Sequence, residues 1–429
     1  MSRDDSPEPR QKTTLWRDNE FLKLWGGQAV SALGSTVTRD ALPLLALLVL
    51  GASPLQMGLL SAASGLPVLL FGVAAGVWVD RLRRRPLMIA ADLARAGLLA
   101  LIPLAAVLGM LRIELLYAIV ILTGLLGVIF NTAYRAYLPG LVARDHLVEG
   151  NSKLAVSESA AEIGGSGLAG VLVQVISAPF AMLLDALTFL VSAGSLALIH
   201  RPEPPPTPST EDASFGREAL EGLRTTFSQP MLRALAGAAA TQSFLGNFFA
   251  PLYSLYAIRE LGLGPAAVGL TIALGGVSSL GGALLAERAL RRFGLGPTLI
   301  ATLGMSTLTA LLIPLAGFFS PHPAGGAFFS VGLIFLGSAQ LLGDALGTIY
   351  AIHAISLRQT ITPDRLLGRV NASLELMEGG IAPLGALVGG ILGGVLGVQN
   401  ALFIAALHGV LACLWIAASP IRKMRKIPE

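Results

Sequence analysis

The sequence predicts an all-α polytopic membrane protein, with twelve spanning helices arranged as two pseudo-symmetric bundles of six. Three observations carry that prediction: a composition too apolar for a water-facing surface, a dozen stretches of spanning length, and two halves that repeat each other's motifs. Of the 429 residues, 54% are hydrophobic and 13% charged, with a mean hydropathy of +0.71. An ordinary soluble domain carries about 25% charged residues. So few charges cannot coat a core of this size in water, so most of the surface must meet lipid. The 50 glycines suit a bilayer, where small residues let helix backbones approach. The single cysteine, Cys413, excludes an intrachain disulfide and any paired-cysteine metal or redox site.

Apolar stretches near the roughly 20 residues that cross a bilayer fall at 24–50, 55–79, 87–108, 114–137, 153–175 and 178–199. A second set follows at 231–256, 265–286, 297–319, 326–353, 371–394 and 397–419. Residues 1–23 read as a polar cytoplasmic tail, and the apolar stretch after them is too long for a cleaved leader. The N-terminal bundle is then 24–199, the C-terminal bundle 231–419, and 420–429 a basic tail. Between the bundles, 200–230 is a cytoplasmic linker. Its run Pro202-Glu203-Pro204-Pro205-Pro206 predicts an extended segment. Phe215, Leu220, Leu223 and Phe227 then share one face of a short helix, either laid on the membrane surface or solvated.

Basic residues set the orientation. Arg81, Arg83, Arg84 and Arg85 follow the second span, Arg288, Arg291 and Arg292 the eighth, and Arg422, Lys423, Arg425 and Lys426 end the chain. The loops on the other side hold Arg112 and Arg259. The excess of Lys and Arg marks the cytoplasmic side, which places both termini there. Trp16, Trp25, Trp78 and Trp415 fall near the same interface.

The halves repeat. Asp80-Arg81-x-x-Arg84-Arg85 corresponds to Glu287-Arg288-x-x-Arg291-Arg292, and Asp145-x-Leu147 with Asn151 to Asp364-x-Leu366 with Asn371. From those asparagines, Leu154, Glu158, Gly165 and Gly170 align at constant spacing with Leu374, Glu378, Gly385 and Gly390. Two repeated bundles suit alternating access about a site near the midplane.

The segment Gly76-Val77-Trp78-Val79-Asp80-Arg81-Leu82-Arg83-Arg84-Arg85 resembles the G-x-x-x-D-R-x-G-R-R signature of the major facilitator superfamily, with Arg83 in place of the second glycine. Its position after the second span fits, as does the degenerate copy at Glu287 and Arg288. The phrases Ser31-Ala32-Leu33-Gly34 and Gly368-Arg369-Val370-Asn371 resemble the bacterial branch containing enterobactin and macrolide exporters. The resemblance implies a cytoplasmic gate built from Gly76, Asp80, Arg81, Arg84 and Arg85. Asp80 would face the positive end of the eleventh helix near Asn371, a contact worth about 0.3–1 kcal/mol when exposed. The arginines would pair with Glu158 and Glu378; Glu158 and Glu162, four residues apart on one face, are expected to form gate ion pairs or else to attract a cation.

The resemblance also implies that spans 1, 4, 7 and 10 line a central cavity, and their residues agree. Gln28, Ser31, Ser35 and Arg39 form a polar stripe at helical spacing. Asn131 joins from the fourth span, Gln242, Phe249, Tyr253 and Tyr256 from the seventh, and Gln340, Asp344 and Thr348 from the tenth. Spans 3, 9 and 12 read as nearly uniform Leu, Ala, Ile and Val, facing lipid. An ionisable group inside the bilayer costs about 2.5–3.5 kcal/mol on insertion scales and so marks function. Asp40, Asp344 and Asp185 are therefore the proton-coupling candidates, with Arg39 as counter-charge or as one member of a static pair with Asp40 or Asp185.

No phosphate-binding loop, His-Glu-x-x-His helix or nucleophile elbow occurs in the sequence. The expected function is a secondary active transporter, not an enzyme, with neither cofactor nor metal and no nucleic-acid partner. It would be a monomer in a bacterial cytoplasmic membrane, exporting an amphipathic drug, antibiotic or siderophore-like metabolite in exchange for protons. Uptake, lysolipid flipping, and a non-transporting receptor or assembly role remain the alternatives.

Overall fold

The computed structural model describes residues 15–203, 215–320 and 330–426. Among them the secondary structure is helical, without strands. The first bundle comprises α1 (Asn19–Leu48), α2 (Pro54–Asp80), α3 (Arg84–Val107), α4 (Ile113–Leu141), α5 (Leu147–Ile176) and α6 (Ala178–Ala197). A linker helix follows, α7 (Phe215–Ser228). The second bundle comprises α8 (Pro230–Gly246) and α9 (Phe249–Leu255), then α10 (Pro265–Phe293), α11 (Leu295–Phe319), α12 (Val331–Ile361) and α13 (Asp364–Leu396), and finally α14 (Val398–Ala406) and α15 (His408–Ala417). The surroundings of Gly76, the side chains of Asp80 and Phe215, and residues 1–14 and 204–206 lie outside the described residues.

Ten of these segments are long and apolar enough to span a membrane unaided. The first span falls short because α1 carries Arg39 and Asp40 as well as Glu20 and Lys23. The seventh falls short because it is broken. It was expected as one helix over 231–256, but α8 stops at Gly246, α9 resumes at Phe249, and a π turn covers Tyr256–Glu260. The twelfth span also breaks, at Leu407 between α14 and α15. Together these give the twelve crossings.

Local chemistry sets the boundaries. Asp18 caps α1, accepting from the backbone N–H groups of Glu20 and Phe21. Ser53 and Gln56 form a reciprocal capping box at α2, and Pro54 occupies its first turn. The eleventh span was expected to begin at Asn371. It begins instead at Asp364, so Asn371 lies inside α13 with its Oδ1 unpartnered among the described residues. The cause is Pro363, which ends the preceding turn and opens a new helix directly.

An even number of crossings returns the first and last described residues to one face, called here the terminal face. The two bundles meet on the opposite half. In α5, Gly170 packs against Gly269 of α10, and in α13, Gly390 packs against Gly58 of α2. A Cβ at Gly390 would stand 2.7 Å from Pro54 O and 2.8 Å from Gly58 Cα. Within its own bundle, Gly165 of α5 abuts Thr36 of α1, as Gly385 of α13 abuts Phe244 of α8. The glycines aligned by the internal repeat thus make equivalent contacts. The equivalence reaches the following turns: Ser177 (φ 76°, ψ 157°) corresponds to Gly397 (φ 86°, ψ 152°). Gly397 adopts this conformation freely, whereas Ser177 is strained there.

The linker helix is neither free nor docked by its apolar face. Gly222 and Thr226 are buried, Gly222 lying against the first turns of α13 at Arg369 and Ser373. Glu221 pairs with Arg369 at 2.5 Å. Leu220 and Phe227 point outward. The small residues permit close approach, and the large ones remain available to lipid.

Candidate substrate cavity

A cavity of about 640 Å³ opens between the bundles, lined from α1 by Arg39 and Asp40 and from α12 by Gln340 and Asp344. The broken seventh span contributes Gln242, Asn247, Phe249 and Tyr253, and α15 contributes His408. The break falls where Pro251 has no N–H to offer the carbonyl of Asn247 four residues back, and Asn247 turns its side-chain amide onto the carbonyl of Ser243 at 2.6 Å. Phe249 and the ring of His408 meet edge to face at 6.2 Å. Tyr253 donates to Thr271 Oγ1 at 2.8 Å, which fixes its ring as a wall.

The charges converge here. Arg39 lies 3.2 Å from Asp40 and 3.4 Å from Glu162 of α5. Asp344 and Arg39 line both this cavity and an adjoining recess with Glu162. The Asp344 carboxylate rests against the backbone of Gly275 and has no hydrogen-bond or ion-pair partner among the described residues. Glu162, expected with the gate, belongs to this group instead, because α5 crosses α1 closely at Gly165.

Other expected residues lie elsewhere. Gln28, Ser31, Ser35 and Asn131 line a separate pocket of about 410 Å³ within the first bundle, with Tyr134, Arg135 and Glu158. Its counterpart in the second bundle, about 590 Å³, holds Tyr350, Arg358 and Glu378. Glu158 and Glu378, aligned by the repeat, thus occupy similar surroundings. Tyr256 is fully buried, donating to Pro314 O and accepting from Gly317 N, each at 2.9 Å; it braces the far end of the second bundle. Thr348 donates to the carbonyl of Asp344 one turn back. Asp185 lies inside the first bundle, bonded to Thr188 at 2.9 Å rather than paired with Arg39.

At the terminal face, Arg85 donates to the carbonyls of Leu196 at 2.7 Å and Ala197 at 2.5 Å, closing the end of α6. The backbone N–H groups of Arg84 and Arg85 donate to Glu203, which caps α3. Arg81 is exposed, as is Arg288, and Glu287 pairs along its own helix with Arg291 at 3.3 Å. Neither Glu158 nor Glu378 meets these arginines in this arrangement.

One polar group was missed altogether. The third span, expected to be nearly uniform in apolar residues and to face lipid, turns Asp92 and Arg95 inward as a buried ion pair. Their i, i+3 spacing could have marked them.

The Major Facilitator Superfamily sequence profile matches residues 24–360. The chain belongs to the major facilitator superfamily. Macrolide efflux protein A of Streptococcus pyogenes is 24% identical over 421 residues, covering 97% of this chain and 99% of that protein. The multidrug efflux pump Tap of Mycolicibacterium fortuitum is 28% identical, covering 87% of this chain and 88% of the pump. In fold, the chain is similar to the crystal structure of a bacterial homologue of the iron transporter ferroportin in an inward-facing state. That likeness has a TM-score of 0.72 at 20% identity and covers 95% and 99% of the two chains. Membership of this superfamily makes the chain an integral membrane transporter of small molecules, not an enzyme.

Proposed function

We propose that this transporter exports an amphipathic, positively charged small molecule in exchange for protons, acting as a monomer in a bacterial cytoplasmic membrane. One observation carries the reading: Asp40, Glu162 and Asp344 outnumber Arg39 in a cavity walled by Phe249 and Tyr253. A surplus of carboxylate in a low-dielectric cavity favours a cation or protons, and aromatic walls favour an apolar body with a cationic head. The efflux names of two relatives support the outward direction. The concentration of Lys and Arg near the terminal face supports a cytoplasmic position for it; in this reading the glycine seal is outermost and the cavity faces inward.

In this scheme substrate entering from the cytoplasm displaces a proton from Asp344 to water, leaving the carboxylate to balance the substrate's charge. The bundles then rock about the cavity, and a proton arriving from outside returns to Asp344 and releases the substrate. The test is reconstitution into vesicles holding a pH gradient, with lipophilic cations, macrolides and siderophores added in turn. Proton movement triggered by a cationic amphiphile is expected. Transport of such a compound with no proton movement would refute the coupling, and transport of neutral or anionic compounds alone would refute the substrate class.

A further inference from the structure

A second group of charges lies within the first bundle, apart from the central cavity. Asp92 and Arg95 of α3 and Asp185 of α6 are 0%, 9% and 1% exposed. Arg95 is paired with Asp92, and its guanidinium is sandwiched between Phe130 of α4 at 4.5 Å and Phe189 of α6 at 4.2 Å. Phe189 sits one turn from Asp185, and that carboxyl acts electrostatically on the stacked guanidinium without forming an ion pair with it. Asp185 has Thr188 Oγ1 as its donor. Asp92 Oδ2 and Arg95 Nε, both buried, have no hydrogen-bond partner among the described residues.

The charges do not balance if all three groups are ionised. A buried charge without a counter-charge costs several kcal/mol, so the neutral combination is one guanidinium, one carboxylate and one carboxylic acid. Among the described residues the neighbouring helices offer no other cation at contact distance. On α6, Asp185 is the one ionisable residue, and α1 presents uncharged Gln28, which donates to Ser192 of α6 at 3.0 Å. Tyr134 and Arg135 of α4 and Glu158 of α5 border the pocket that Arg95 also lines. That pocket lies in the terminal half of the bundle and gives the group a route to water.

We infer that Asp92 and Asp185 form a second proton-binding site, in which the carboxyl not paired with Arg95 carries one proton. In this structure Arg95 is committed to Asp92, so the proton resides on Asp185. On release the O–H electron pair stays on Asp185, the proton passes to water in the adjoining pocket, and Arg95 is left between two carboxylates. This inference rests on the proton-coupled reading above for its role in transport, but the site itself can be observed without substrate.

The experiment is infrared titration of the purified transporter, reading the carbonyl stretch of a protonated carboxyl at neutral pH. The wild type is expected to show a band that survives Asp344→Asn and is lost in Asp185→Asn. Asp92→Asn should also abolish it, because Arg95 then turns to Asp185 and holds it ionised. A purely structural role for Asp92 would not move a band belonging to another residue. Absence of the band from wild type, or its persistence in Asp185→Asn, would overturn the assignment. Should Asp185→Asn fail to fold, persistence of the band in Asp92→Asn overturns it equally. Absence of proton-linked transport in vesicles would count against the central cavity's proposed function and not against this band.

Discussion

The glycine seal opposite the terminal face allows a quantitative test of alternating access. In Gly390→Ala the new methyl would meet Pro54 O at 2.7 Å and Gly58 Cα at 2.8 Å, and both are backbone atoms that cannot rotate aside. Ordinary carbon contacts lie at about 3.5–4.0 Å, so α2 and α13 must separate by roughly 0.7–1.2 Å. Overpacking of this kind costs about 1–3 kcal/mol. The penalty applies only while the seal is closed, so it shifts the balance between the two conformations about 5–150-fold. Gly394 provides the control: it lies on the same helix with nothing within 4 Å of its virtual Cβ. Spin labels at Arg112→Cys and Arg259→Cys, in a Cys413→Ser background, would report the distance between loops of the two bundles on that side. Gly390→Ala should populate a longer distance, and Gly394→Ala should match wild type. Identical distance distributions for the two variants would refute the seal. Gly269→Ala, whose Cβ would meet Ser166 O at 2.7 Å, should behave like Gly390→Ala if the two halves share the work equally.

Further outcomes follow from single residues. Asp344→Asn should abolish pH-driven accumulation in vesicles while leaving substrate exchange without a gradient, and undiminished pH-driven export would remove Asp344 from coupling. Ser177→Gly should raise thermal stability by about 1 kcal/mol by relieving the positive-φ strain, with transport unchanged. Arg85→Ala, which strips two hydrogen bonds from the end of α6, should cost about 1–2 kcal/mol after allowance for exposure. Arg81→Ala should cost less in the same unfolding assay. Tyr256→Phe removes the hydroxyl that bridges Pro314 O and Gly317 N, although Gln399 still donates to Pro314 O, and should destabilise by about 1–2 kcal/mol, again read by thermal unfolding, with transport retained.

The fold was legible in the sequence because the bilayer imposes long, apolar, self-bonded helices, and such helices leave an unmistakable composition. The repeat was legible to the level of individual contacts: Gly165 with Gly385 and Gly170 with Gly390 align in sequence and pack alike in space. The breaks in the seventh and twelfth spans were not. Leu407 is an ordinary residue for a spanning stretch, and prolines like Pro251 sit inside unbroken helices elsewhere, as Pro43 and Pro383 do, so neither break shows in hydropathy.

The cavity was legible only in part, for a reason of helix geometry. A polar stripe shows that a helix has a wet or bonded face, but not which neighbour that face meets. The stripe on α1 therefore divides: Gln28, Ser31 and Ser35 turn into the first bundle, while Arg39 reaches the space between bundles. Asp92 and Arg95 were lost for the opposite reason. Both charges lower the hydropathy of the span, but the Leu, Ala and Ile around them outweigh that cost, so α3 reads as lipid-facing although both side chains turn inward. In a bilayer the isolated polar pair is the informative signal, because each group must find a partner within the protein. The same physics makes Asp185 informative: it is a carboxyl near a guanidinium already committed to another residue, and its burial requires a counter-charge or a proton.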